Sequence, residues 1–120
     1  MNELKEIRDQ LRQFAEARDW DQFHSPKNLV MALSVEVAEL TEHFQWLTAD
    51  ESEELDAEML KQVEEEIADT QLYLIRLADK LGVDIVEVSK RKLKINEQKY
   101  PADQVRGSSK KYSEYDSSAD

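Results

Sequence analysis

Between Pro26 and Leu47 the residues Leu29, Ala32, Leu33, Leu40 and Leu47 return at the spacing of one face of an α-helix. The same period governs three further segments, so the chain can hide its apolar side chains only by packing helix on helix. Leu4, Ile7, Leu11 and Phe14 mark a first helix over about residues 3–18. Ser25 followed by Pro26 reads as an N-cap with proline at the first helical position, opening a second helix over about 26–47. Asp50 with Glu53 resembles a capping box and opens a third, over about 51–81, with Gly82 as its C-terminal stop. Asp84 with Glu87 offers a similar start for a fourth near about 85–98, and Pro101 bars its continuation. Only 2 Gly and 2 Pro in 120 residues leave little turn chemistry for an all-β alternative. The expected fold is therefore all-α, a compact four-helix bundle or a dimer sharing one.

Charge narrows the partners. A net charge of -11 argues against a nucleic-acid polymer held through a basic surface. It leaves room for a polyphosphate if divalent cations stand between, since carboxylate and phosphate oxygens are both hard ligands. The absence of Cys excludes disulfides, thiolate nucleophiles and zinc–sulfur sites. No run approaches the roughly 20 apolar residues of a membrane span. The opening MNELKEIRDQLRQF is amphipathic and mixed in charge, unlike a secretory signal. A soluble, cytoplasmic protein is expected.

One residue conflicts with the helical pattern around it. On a wheel of about 100° per residue with Glu36 at zero, Leu29 and Leu47 fall near +20°, Leu40 near +40° and Ala32 near -40°. Glu36 thus lies inside its own apolar arc, with Glu39 and Trp46 on one shoulder at roughly -60° and -80°. In the third helix, Glu66 and Asp69 line one flank of an apolar stripe that includes Val63, Ile67 and Leu74, whereas Glu64 and Glu65 point elsewhere. Two acid pairs on consecutive helices would repel if they converged, and a divalent cation resolves that conflict. Oxygen-only ligands favour Mg²⁺, with Mn²⁺ as a substitute. The structural alternatives are a buried ion pair at Glu36 and a solvated edge at Glu66 and Asp69. A di-iron site fits poorly, because His43 follows Glu39 by four positions and the third helix has no His.

These residues also carry a family resemblance. EVAEL followed by EEEIAD resembles the paired-acid signature of the MazG-like all-α nucleoside triphosphate pyrophosphohydrolases. RDWDQFHSPKNL, EVAELTEHFQW, EEEIADTQLYLIRLA, KINEQKYP and SSKKY, in that order, resemble the dCTP pyrophosphatase branch. The resemblance implies Mg²⁺-dependent hydrolysis of a nucleoside triphosphate, dCTP or a 5-modified dCTP being favoured, to monophosphate and pyrophosphate. It implies a house-cleaning role in the nucleotide pool. It also implies a homodimer or a dimer of dimers, with helices from more than one subunit at the active site. The signature acids map to Glu36, Glu39, Glu66 and Asp69 as metal ligands and catalytic groups.

Substrate contacts follow from the same likeness. Trp20 and Trp46 hold positions that flank the base, where indole faces suit stacking. The competing reading has them plugging the ends of the bundle, and His24 is divided between substrate contact and loop anchoring. Tyr73 lies one turn beyond Asp69, and Lys92, Asn96, Lys99 and Tyr100 match positions that approach the phosphates. Leu11 departs from the pattern, since the vertebrate members carry a polar His there, which bears on base preference. The domain implied spans residues 1–112, with 113–120 a flexible polar tail. Outside this family reading stand a non-catalytic acidic interaction module and a related pyrophosphohydrolase of another polyphosphate, such as phosphoribosyl-ATP.

Overall fold

The computed structural model describes residues 2–109. The segment 113–120, expected to be a flexible tail, and the last part of SSKKY lie outside the described residues. The chain divides into two compact units, Met1–Val83 and Asp84–Asp120.

In the first unit, α1 (Glu3–Ala17), α2 (Pro26–Phe44), α3 (Ala49–Glu53) and α4 (Ala57–Lys80) follow one another, with a 3-10 turn at Asp21–Phe23. Ser25 caps α2 as expected, its hydroxyl accepting the Asn28 N–H at 3.2 Å ahead of Pro26. The single helix expected over about 51–81 is instead two. Thr48, rather than Asp50, starts the first of them. Its hydroxyl accepts the Glu51 N–H at 3.1 Å, and the Glu51 carboxylate accepts the Thr48 N–H at 2.9 Å. Asp56 then starts α4 by accepting the Met59 N–H at 2.8 Å. Extended backbone at Thr48 and Asp56 decides the matter, because only residues outside the helical conformation can turn a side chain back onto the orphan N–H groups.

Two chain reversals share one geometry. After α4, the Val83 N–H donates to Ala78 O at 2.8 Å and the Gly82 N–H to Asp79 O at 3.1 Å, with Gly82 at φ 69. After α1, the Trp20 N–H donates to Ala15 O at 2.9 Å and the Asp19 N–H to Glu16 O at 3.1 Å. Here the left-handed position is Asp19, at φ 54, a conformation that aspartate tolerates better than most residues. This turn sets the departure of Trp20 from α1.

Helix α4 packs along α2 and, less extensively, against α1. Arg12 of α1 grips Asp79 of α4 through two hydrogen bonds of 2.5 and 2.7 Å. Ala15, Leu29, Val63, Ile75 and Ala78 form the buried apolar core. Ile67, one of the residues of the expected α4 stripe, is 54% exposed. The apolar arc of α4 is wide, so a wheel cannot tell which flank meets α2.

The second unit contains α5 (Ile85–Lys99) and the short α6 (Ala102–Val105). Asp84 caps α5 by accepting the Glu87 N–H at 3.0 Å. The Tyr100 N–H closes that helix on Asn96 O at 2.8 Å. Beyond Pro101 the polar segment forms one helical turn, the short α6. The described residues are all helix, turn and coil, and no helix among them is long and apolar enough to cross a membrane.

Candidate active site

Helix α2 carries Glu36 and Glu39 on successive turns, and α4 brings Glu66 to meet them. One oxygen from each of these carboxylates lies within 4.8 Å of the others, and all three residues are half-buried. Among the described residues no lysine or arginine forms an ion pair with any of them. With both groups ionised, Glu36 Oε2 and Glu66 Oε2 are buried without a hydrogen-bond donor, and Thr70 Oγ1 is similarly unpaired nearby in α4. Such orphaned oxygens are costly unless a proton or a cation is shared among them. Burial pushes the Glu36 pKa up to about 7, helped by its contact with Glu66 and by the charges of Glu39 and Asp69. Burial also raises Glu66, while its hydrogen bond with Glu36 pulls the other way. The direction is consistent with Glu36 keeping a proton that Glu66 accepts. This donor set, all hard oxygen with two oxygens unsatisfied, suits a divalent cation.

Asp69 stands slightly apart. It is exposed and outside the close cluster, yet its charge acts on both Glu36 and Glu66. It also lines a cavity of about 280 Å³ with Leu11, Phe14, Ala15, Trp20, His24, Leu72, Tyr73 and Arg76. The acid cluster and this cavity therefore adjoin through Asp69. Trp20 is held by an edge-to-face contact with Phe14 at 5.6 Å between ring centres. The loop carrying Trp20 and His24 is tied to α4 by Arg76, which donates to Asp21 at 2.5 Å and to His24 Nδ1 at 3.2 Å. Lys80 adds a bond of 2.5 Å to the same Asp21 carboxylate.

The sequence pattern of the MazG-like family matches residues 31–115, which take in all of α4 and the part of α2 that carries Glu36 and Glu39. The chain belongs to the MazG-like family. It is 42% identical over 113 residues to human dCTP pyrophosphatase 1 (Homo sapiens) and 39% identical over the same length to the mouse protein of that name (Mus musculus). Each alignment covers 92% of this chain and 66% of the relative. Among solved structures, a pyrophosphatase from Archaeoglobus fulgidus superposes with a TM-score of 0.74 at 43% identity. That superposition covers 84% of this chain and 94% of the archaeal one.

In this MazG-like chain, Glu36, Glu39 and Glu66 come together in space, and Trp20, His24, Asp69 and Tyr73 share the neighbouring cavity. Trp46 does not join them. It sits in the turn after α2, 87% exposed, and is not among the residues lining the cavity. Lys92, Asn96, Lys99 and Tyr100 belong to the second unit, where Lys92 and Asn96 line a shallow hollow along α5. Sequence reasoning missed Arg76 and its partners Asp21 and Asp79. The signal was available in LYLIRLA, where a charged residue stands inside an apolar run just as Glu36 does.

Proposed function

We propose that this protein is a Mg²⁺-dependent nucleoside triphosphate pyrophosphohydrolase, with dCTP or a 5-modified dCTP as the favoured substrate. The observation that carries the reading is the meeting of Glu36, Glu39 and Glu66, with two buried oxygens left unpaired. Those carboxylates, joined by Asp69 from the lining of the cavity, would hold Mg²⁺, for which Mn²⁺ could substitute. The bound cation supplies charge neutralisation on phosphate oxygens and lowers the pKa of water. The names of the human and mouse relatives support the substrate class.

In the reaction, water adds to the α-phosphorus, the bond to the bridging oxygen breaks and pyrophosphate leaves. One carboxylate of the cluster takes the water's proton, with Glu39 and Glu36 the first candidates. Trp20 stacks on the base, Leu11 forms an apolar wall, and Tyr73 hydrogen-bonds the sugar or a phosphate. Lys92, Asn96, Lys99 and Tyr100 are assigned to the phosphate end of the substrate. Trp46, exposed in one protomer, is assigned to a site completed by a second copy, as in a homodimer or homotetramer. A cytoplasmic house-cleaning role is the corresponding cellular reading.

Product chromatography on a panel of deoxynucleoside triphosphates tests this. With Mg²⁺ the protein should release monophosphate and pyrophosphate, and Glu36→Gln or Glu66→Gln should lower kcat at least about 100-fold. Orthophosphate as the only product from every triphosphate would refute the activity.

A further inference from the structure

Arg76 is only 6% exposed, and nothing in the acid cluster requires it. A buried guanidinium is costly unless its N–H groups are paired. Two of its partners are ordinary. Nη2 donates to Asp21 at 2.5 Å, and Nη1 lies 3.5 Å from Asp79. The third is a residue that could itself be cationic, since Nε donates to Nδ1 of His24 at 3.2 Å.

That contact has one chemically consistent protonation. A guanidinium has donors only and keeps its proton throughout the accessible pH range. Nδ1 of His24 must then be bare, which leaves the ring neutral with its proton on Nε2. An imidazolium there would set N–H against N–H and two positive charges together. Burial lowers the His24 pKa, as do the charges of Arg76 and Lys80, while Asp21 opposes them.

We propose that Arg76 is a positioning residue, locking His24 in the Nε2–H tautomer so that the cavity beside the acid cluster offers a bound base a neutral N–H donor. The ligand half of this proposal rests on the reading of that cavity as the base subsite. The donor would match a base edge bearing a carbonyl or bare ring nitrogen, and would be opposed by an exocyclic amino group at the same place. Asp21 and Asp79 hold the guanidinium in register, and Leu11, which also lines the cavity, offers no competing polar contact.

Long-range proton–nitrogen NMR of the imidazole rings tests the tautomer without any need for activity. Only two histidines occur, and His43→Gln assigns them. At neutral pH, His24 should show a bare Nδ1 and a protonated Nε2. Arg76→Lys, which keeps the charge but loses the Nε donor, should give averaged nitrogen shifts from a tautomer mixture. Asp21→Asn, at an exposed carboxylate, should give a milder version if Arg76→Lys fails to fold. A proton on Nδ1 or on both nitrogens of the native ring overturns the proposal, as does an unaltered tautomer in folded Arg76→Lys.

Kinetics with dCTP and Mg²⁺ tests the ligand contact. A base contact remote from the reacting phosphorus acts in ground and transition states alike, so its loss falls on KM. His24→Ala and Arg76→Lys should raise KM about 3- to 10-fold with a smaller change in kcat. His24→Gln, which retains an N–H donor, should recover part of the loss. A native KM in His24→Ala overturns the contact. Failure to turn over any triphosphate removes the proposed activity, while the nitrogen spectra still decide the role of Arg76.

Discussion

At the scale of single residues, Glu36 expresses a conflict between stability and chemistry. Its carboxyl, at about 7, lies above the 4.5 of an ordinary glutamate. The folded, metal-free protein therefore binds that proton more tightly than the unfolded chain does. The associated stability is complete below about pH 4.5 and is lost as pH rises through about 7. Denaturant titrations in a chelating buffer should show the unfolding free energy falling across this window, by about 1–2 kcal/mol once solvent access to the half-buried site is allowed for. Glu36→Gln should remove that part of the slope, melt higher than the native protein above pH 7 and gain little from added Mg²⁺. Equal slopes in the two proteins would show that the carboxyl is not under this strain. The acid was conspicuous in the sequence because leucines surround it on the wheel. Arg76 was equally conspicuous, yet its partners Asp21 and His24 lie more than fifty residues away in sequence, and periodicity carries no information across such a gap.

At the scale of elements, the caps decided where helices begin and end. Ser25, Gly82 and Asp84 were legible because each combines a preferred residue type with a change in apolar period. The stretch TADESEELDAEM was not, since several overlapping Thr, Asp and Glu triplets offer similar caps and the backbone chooses among them. Gly82 gives a clean test of one boundary. A Cβ added there would meet nothing within 4 Å, so Gly82→Ala isolates the cost of the left-handed backbone, about 1 kcal/mol. Denaturant titration should find that loss with an unchanged m-value. The Arg12–Asp79 clasp between α1 and α4 is a second test. Asp79 is held below the usual carboxylate range, chiefly by its hydrogen bond with Arg12, so its contribution is present above pH 3.8 and fades as acid protonates it. Asp79→Asn should lose about 1.5–3 kcal/mol at neutral pH, with less difference from the native protein in acid.

At the scale of the whole molecule, α2 carries more apolar surface than one protomer covers. Val30, Met31, Val35 and Val37 are exposed on its side away from Glu36, and Trp46 stands out beyond its end. Such an exposed apolar face supports the proposed homo-oligomer, in which a second copy would cover it. Met31→Glu should therefore shift the protein toward monomer in light scattering, and in a Trp20→Phe background the emission of Trp46 should move to longer wavelength with it. A native protein that is monomeric at micromolar concentration would contradict this. By itself the sequence determined the all-helical class, most helix ends and the identity of the acids that conflict with their helical faces. These are local consequences of period and side-chain chemistry. Tertiary structure alone decided that Glu36, Glu39 and Glu66 meet, that Arg76 reaches His24 and that Ile67 faces outward. Each depends on how α2 and α4 are rotated about their axes, and helices with broad apolar arcs permit several such rotations until they are packed together.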